Sequence, residues 1–132
     1  MSIEHHYKTR RLIKSEDLNG AGTLFGGKAL AWVDEEAAIF ATCQLESKNI
    51  VTKLIGEVNF TSPAYLGDIV EIGCELNRIG TTSIEVSCYI RNKTTKEFVV
   101  KVKKIVFVNV NPETKLPEPH GVKSVEYKSN AR

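Results

Sequence analysis

This chain of 132 residues lacks long basic runs, membrane-length apolar runs and metal-ligand spacings. Its formal net charge is +2, from 18 Lys and Arg against 16 Asp and Glu. A charge that small, with no Lys/Arg block, leaves no electrostatic footprint for a polyanion, so nucleic acid is not an expected partner. No apolar stretch reaches the roughly 20 residues that span a bilayer. The opening MSIEHHYKTRRLIKS lacks the apolar segment of a secretory signal. Neither a membrane nor export is therefore expected. Cys43, Cys74 and Cys88 are an odd set without CxxC spacing, which argues against zinc, and no metal is expected. Each lies among apolar residues, as a reduced thiol serving as a small hydrophobe does. A reducing, cytoplasmic setting is the expectation. Histidine is confined to His5, His6 and His120, and no G-x-S-x-G is present. A Ser–His–Asp hydrolase is thus not expected.

What is present suits one domain. Hydrophobic residues make up 42% and charged residues 26%, an ordinary globular balance. HYKTRRLIKS, basic and poor in large apolar residues, fits an edge strand. EDLNGAG is a turn cluster. A helix rich in Ala and free of Pro is predicted from about Gly27 to Cys43. The period then changes to two. Ile50, Leu54, Val58 and Phe60 share one face of a strand, with a bulge expected at Gly56. SPAYLGD breaks it. Val70, Ile72, Cys74 and Leu76 alternate with Glu71, Gly73, Glu75 and Asn77, which predicts a half-buried strand. After the turn RIGTTS, Ile84, Val86, Cys88 and Ile90 alternate with Glu85, Ser87, Tyr89 and Arg91 to make its hairpin partner. Phe98 to Val110 forms a long strand whose phase slips at Lys103–Lys104, predicting a second bulge. From Asn111 on, Pro112, Pro117 and Pro119 among mixed charges suggest a loosely held tail. Four strands joined by short turns are antiparallel, and one sheet must bury one helix. The expectation is a single α+β domain over 1–132, with its core at about 7–110.

The helix raises a question of its own. On a wheel at 100° per residue, Gly27, Leu30, Ala31, Ala37, Ala38 and Ala41 lie within about 60° of Asp34. Asp34 is the only polar residue on that face, and a buried carboxylate is costly unless compensated. Thr42, Glu35 and Lys28 form a narrow polar stripe beside it, and Ala29, Val33, Phe40, Trp32, Ile39 and Cys43 are spread around the rest. A helix apolar on most sides is covered on most sides, by a curled sheet or by a second subunit. Small neighbours leave room for water or substrate beside a carboxylate that can act as a base. GTLFGG sets two glycines at the helix start, where free amides and the dipole favour an anion or oxyanion. An oxyanion donor and a carboxylate on one helix face suit attack on a carbonyl. The plainer alternatives are a structural Asp satisfied by a backbone group or a Thr, and a GG pair that serves only as a turn.

DLNGAGTLFGGKALAWVDEEAAIFA, VTKLIGEVNFTSPAYLGDIVEI and RIGTTSIEV, in that order, resemble the hotdog-fold acyl-CoA thioesterases, in particular the cytosolic acyl-CoA hydrolase subgroup. The resemblance runs from about residue 7 to residue 110. It implies a hotdog fold, an antiparallel sheet wrapped around one long helix. It implies that Asp34 is the catalytic acid, activating water or attacking the thioester itself. Asn19 would face that acid from the other subunit, so the site is composite and lies at a dimer interface. Gly26 and Gly27 would bind the thioester carbonyl, with Gly27 the donor. Arg78 to Ser83, including Gly80, Thr81, Thr82 and Ser83, would bind CoA. Arg78 could meet a phosphate or be a solvated turn charge. No cofactor is implied, CoA being part of the substrate, and the implied assembly is a homodimer built into a trimer of dimers. Of the neighbouring carboxylates, Glu35 is expected in the polar stripe, lining the pocket or pairing with Lys28. Glu36 is expected near Trp32 and Ile39, reaching a subunit contact or solvent. Dehydratases of this fold use a His, which the helix and central strands lack. The rival function is a non-catalytic acyl-CoA sensor or scaffold, but no helix-turn-helix fits in the short N-terminal segment.

Overall fold

Twenty residues with no proline and no run of β-branched side chains form the one long helix, α1 (Gly26–Leu45). It ends where Glu46 turns into the left-handed region at φ 53°, a common helix stop. Ala29, Trp32, Val33, Ala37, Ala41 and Leu45, at i, i+3, i+4 and every fourth residue after that, are buried. The computed structural model describes residues 6–123 and 125–126; His5 and the last six residues of the expected tail lie outside them.

The strands are β1 (His6–Leu12), β2 (Ile50–Phe60), β3 (Ile69–Ile79), β4 (Ser83–Asn92), β5 (Phe98–Asn109) and the short β6 (Val125–Glu126). They form one antiparallel sheet in the order β1-β3-β4-β5-β2, with β6 added to β3 at Arg78 and Ile79. The sheet packs its apolar face, including Val70, Ile72, Val86, Ile90, Val102 and Ile105, against α1. This is the helix-on-antiparallel-sheet architecture of the hotdog fold, and β1 is the edge strand expected. No helix among the described residues is long and apolar enough to cross a membrane.

The slip in β5 falls where expected. Val86 faces Ile105 but Cys88 faces Val102, so the extra residue lies at Lys103–Lys104. The Lys103 carbonyl freed by the bulge accepts from Ser87 Oγ at 2.9 Å and from Asn77 Nδ2 at 3.1 Å. The bulge of β2 is not at Gly56, which pairs regularly with Lys104. It lies between Thr52 and Leu54, and Glu57 takes a left-handed φ of 54°. Bulges do not require glycine, and on an edge strand the extra residue can be a solvated lysine.

Three further expectations are corrected. The outward face of the β3–β4 hairpin is not open, because Glu71, Glu75, Ser87 and Tyr89 are buried. Long side chains close over it. Arg10, Arg91 and Lys96 converge on the Glu71 carboxylate, and Phe98 packs edge-on against Tyr89 at 5.9 Å. Burial alone would raise the Glu71 carboxyl, but Arg91, Lys96 and Arg10 together hold it below its ordinary value. The cysteines are not uniformly buried: Cys43 is exposed, Cys74 is intermediate and only Cys88 is enclosed. Cys74 and Cys88 stand directly opposite one another in β3 and β4 as free thiols. The hydrogen bond with Cys74, and then burial, push the Cys88 thiol well up. Finally, the segment from Asn111 is tied down over its described residues. Val110 pairs with Pro117, Glu118 N donates to Asn109 O at 2.9 Å, and Asn109 Nδ2 donates to Glu118 O at 2.9 Å. Proline content signals poor helix and strand formation, not poor attachment.

Candidate active site

The helix start is held by the loop before it. Phe25 N donates to Asp17 O and Leu24 N to Ala64 O. Asp17 is buried, accepts from Lys14 N at 2.9 Å, and lies 3.5 Å from Lys28 Nζ. Burial would raise its carboxyl, but the Lys14 amide and the Lys14 and Lys28 charges hold it below the ordinary value. Phe25, the N-cap residue, makes no side-chain capping bond. The first amides, at Gly26 and Gly27, are the donors a helix cannot satisfy internally. A Cβ on Gly26 would sit 3.4 Å from the Phe60 ring, and one on Gly27 2.8 Å from the Phe25 ring. These glycines therefore let two aromatic rings close on the helix start.

A pocket of about 370 Å3 opens beside Gly26, lined by Ala29, Phe60, Thr61, Ser62 and Val100 among others. The hydroxyls of Thr61 and Ser62 donate to Phe98 O, which leaves its walls largely apolar. Asp34 does not line it.

Asp34 is half-buried, not enclosed, in the single chain. Thr52 Oγ1, from β2, donates to Asp34 Oδ1 at 2.9 Å. The described residues give Oδ2 no hydrogen bond, so the carboxylate is fixed through one oxygen and open at the other. About 10 Å of helix rise separates Gly27 from Asp34. Side chains lean toward the helix N-terminus, so the carboxylate tilts toward the glycines. Thr52 was legible only as a polar residue in an apolar strand; its contact depends on how β2 crosses the helix.

The adjoining carboxylates are committed elsewhere. Glu35 pairs with Arg11 at 2.8 Å, not with Lys28. Glu36 turns mostly inward within the chain, where it accepts from Thr9 Oγ1 at 2.9 Å, between α1 and β1. β1 runs alongside the helix and Arg11 covers the Trp32 ring at 5.1 Å, which occupies that side.

Asn19 lies in an exposed turn, its Oδ1 accepting from Ala21 N at 2.9 Å and Thr23 N at 3.1 Å. Among the described residues no hydrogen bond joins it to Asp34. Arg78 to Ser83 form the β3–β4 turn. Ser83 faces Val108, which faces Val51, so the turn lies at the Thr52 end of the sheet. Phe60 and the helix start lie at the other end, where Phe60 pairs with Val100. One chain thus unites Asp34 with Thr52, and Gly26 with the pocket. It does not bring Asn19 to Asp34, or the turn to the glycines. Among the described residues no group of three or more His, Cys, Asp or Glu could hold a metal ion.

Much apolar surface is left open. Val51, Leu54, Ile55 and Phe60 on β2, Ile39 on α1 and Phe25 before it are all exposed. A long apolar edge strand is a template for another chain.

The family model described as the thioesterase superfamily matches residues 21–99, which carry the helix, β2, β3 and β4. The chain belongs to the thioesterase superfamily. It is similar to a solved apo hexameric acyl-CoA thioesterase, at 34% identity and a TM-score of 0.78, covering 92% of this chain and 77% of that one. It is also similar to the Staphylococcus aureus acyl-CoA hydrolase, solved with butyryl-CoA, CoA and CoA disulfide. That match has 30% identity and a TM-score of 0.75, covering 87% of this chain and 68% of that one. Alanine variants of the same hydrolase at an aspartate, a threonine and an asparagine match as well. The mouse cytosolic acyl coenzyme A thioester hydrolase is 27% identical over 96 residues, 69% of this chain. The chain spans only 25% of that mouse protein's length.

Proposed function

We propose that this protein hydrolyses acyl-CoA to a free fatty acid and CoA, with Asp34 as base or nucleophile in a site shared between two subunits. The observation that carries this is Asp34 itself: a mid-helix carboxylate fixed by Thr52 through one oxygen, open at the other, beside an uncovered apolar edge. The Staphylococcus aureus variants remove an asparagine, an aspartate and a threonine, the residue types of Asn19, Asp34 and Thr52. The asparagine-to-aspartate separation there equals that from Asn19 to Asp34.

In the reaction the thioester carbonyl rests on the Gly27 amide, flanked by Gly26, where the helix dipole favours developing negative charge. Asp34 takes a proton from water as the new C–O bond forms, or attacks to give an anhydride that water then opens. Thr52 orients the carboxylate. Asn19 of the partner orients water or carbonyl. The C–S bond breaks with the electron pair on CoA sulfur, a thiolate stable enough to leave without a strong acid. The proton held by Asp34 then returns to solvent or thiolate. Such chemistry needs no cofactor.

Arg78, Gly80, Thr81, Thr82 and Ser83 hold CoA. They lie at the sheet end away from Gly27 in one chain, and a two-fold partner interchanges those ends. Exposed Val51, Leu54, Ile39 and Phe60 are the surface such a partner would cover. The minimal unit is a homodimer and the full assembly a trimer of dimers; a matched relative is hexameric. Free cysteines and the cytosolic name of the mouse relative support a cytoplasmic setting.

The test is hydrolysis of acyl-CoAs from short to long chain with a free-thiol readout. Turnover on some length is expected. No turnover on any, with acyl-CoA still tightly bound, would make the protein a sensor or scaffold.

A further inference from the structure

The segment Pro117 to Val122 does more than close the chain. It straps the β3–β4 turn to the end of β5. Asn109, itself buried, is the anchor: it exchanges two bonds with Glu118 and accepts from Ser47 Oγ at 2.7 Å. From there the strap reaches His120, whose N–H donates to Thr81 O at 3.2 Å. The imidazole Nε2 lies 3.2 Å from Ser83 O, and Val122 N donates to Nδ1 at 3.1 Å. An amide can only donate and a carbonyl only accept, so these partners select the neutral ring with its proton on Nε2. Val122 packs against the core, and β6 pairs with Ile79 and Arg78 at the turn's other flank.

The consequence lies in the turn's carbonyls. Thr81 O is taken by His120 N, Thr82 O by Asn109 N at 2.7 Å, and Ser83 O by Gly80 N at 2.9 Å and by His120 Nε2. Three successive acceptors are drawn onto the strap and β5. What is left to meet a ligand is weighted toward donors, which suits phosphate and pantetheine amide oxygens. The turn is also tight, since a Cβ on Gly80 would lie 2.6 Å from Ser83 Oγ.

We propose that His120 is a positioning residue for CoA: its neutral ring pins the carbonyls of the β3–β4 turn so that the turn presents donors to the CoA moiety. This rests on the turn being the CoA-binding segment. His120 touches neither the acyl group nor Asp34 in this scheme, so its effect belongs to CoA affinity.

The experiment measures CoA binding to the full-length assembly by calorimetry, for the parent and for His120→Ala, His120→Gln and His120→Asn. Hydrolysis of a short acyl-CoA and of the matching N-acetylcysteamine thioester, which lacks the nucleotide, is followed in parallel. His120→Ala should weaken CoA about tenfold and raise KM for acyl-CoA alike, with kcat and the truncated thioester unaffected. Gln keeps a donor able to reach Ser83 O and should recover most of the affinity. Asn keeps only the acceptor for Val122 N and should remain weak. Unchanged CoA affinity in His120→Ala would overturn the proposal. So would equal losses in all three variants, or an equal penalty on the truncated thioester, since either marks a general effect on the fold. Thr81→Ala and Thr82→Ala separate the two readings. If they weaken CoA while His120→Ala does not, only the strap proposal fails. If neither they nor His120→Ala weakens CoA, the turn is not the CoA segment and both fail.

Discussion

Replacing Thr52 by valine removes one hydroxyl and keeps the branched shape of the side chain. That hydroxyl holds Asp34 Oδ1 at 2.9 Å and is the only hydrogen bond the described residues make to this carboxylate. Deleting a hydrogen bond to a charged group costs about 1.5–3 kcal/mol. Thr52 is exposed and Asp34 half-buried in the single chain, so water can replace part of what is lost. The cost then falls at or below the lower end, about 1–1.5 kcal/mol, or roughly a five- to thirteenfold fall in rate. In the proposed mechanism the loss falls on kcat, because there the bond orients the attacking group and not the CoA moiety. Valine suits a strand, so melting should move little. The assay is steady-state thiol release with saturating acyl-CoA, with Thr52→Ser as the rescue. A kcat equal to the parent's would show that the bond does not hold Asp34 for catalysis. A change confined to KM would move Thr52 to substrate binding.

Glu71→Gln should lower stability by about 1–2 kcal/mol at neutral pH, less than for a fully enclosed pair because Arg10 and Lys96 are largely solvated. Since the folded Glu71 carboxyl is held below its ordinary value of 4.5, its contribution is complete above that value and lost as pH falls through the folded one. Parent and variant should therefore converge in urea titrations as pH drops below 4.5 and through the lower folded value; a gap that widens there contradicts the pairing. Ser87→Ala removes a buried hydroxyl bonded near the β5 bulge and should cost about 1–2 kcal/mol in the same assay, whereas an unchanged midpoint would show that the bulge holds itself. Chains carrying Asn19→Ala and chains carrying Asp34→Asn, each inactive alone, should regain some activity when mixed and refolded together. Proven mixing without recovery would rule out a shared site.

Periodicity made much of this architecture legible. The alternation in Val70–Leu76 and Ile84–Ile90 placed the β3–β4 hairpin, and the phase slip at Lys103–Lys104 marked the bulge of β5, because both are properties of neighbouring residues. Alternation tells which side a residue faces but not what covers that side. Glu71 and Tyr89 were therefore expected to be open, and Arg91, Lys96 and Phe98 closed over them. Gly56 was a plausible bulge and Lys53 took it, since edge-strand bulges follow pairing more than residue type. At the site, the wheel singled out Asp34 and its small neighbours, while Thr52 comes from a strand whose crossing of α1 no local pattern encodes. The strap is the same kind of omission. Its prolines are visible in the sequence, but the turn-back of Glu118 onto Asn109 has no periodic signature and His120 meets Ser83 across 37 residues.

Asp34→Asn keeps the side chain's shape and its bond from Thr52 while removing the charge. Its kcat on a good acyl-CoA substrate, measured beside the parent on protein of matched assembly and melting behaviour, decides the matter. A fall of about a hundredfold or more, with CoA still bound, is the predicted result. Undiminished turnover would show that the carboxylate is not the catalytic group.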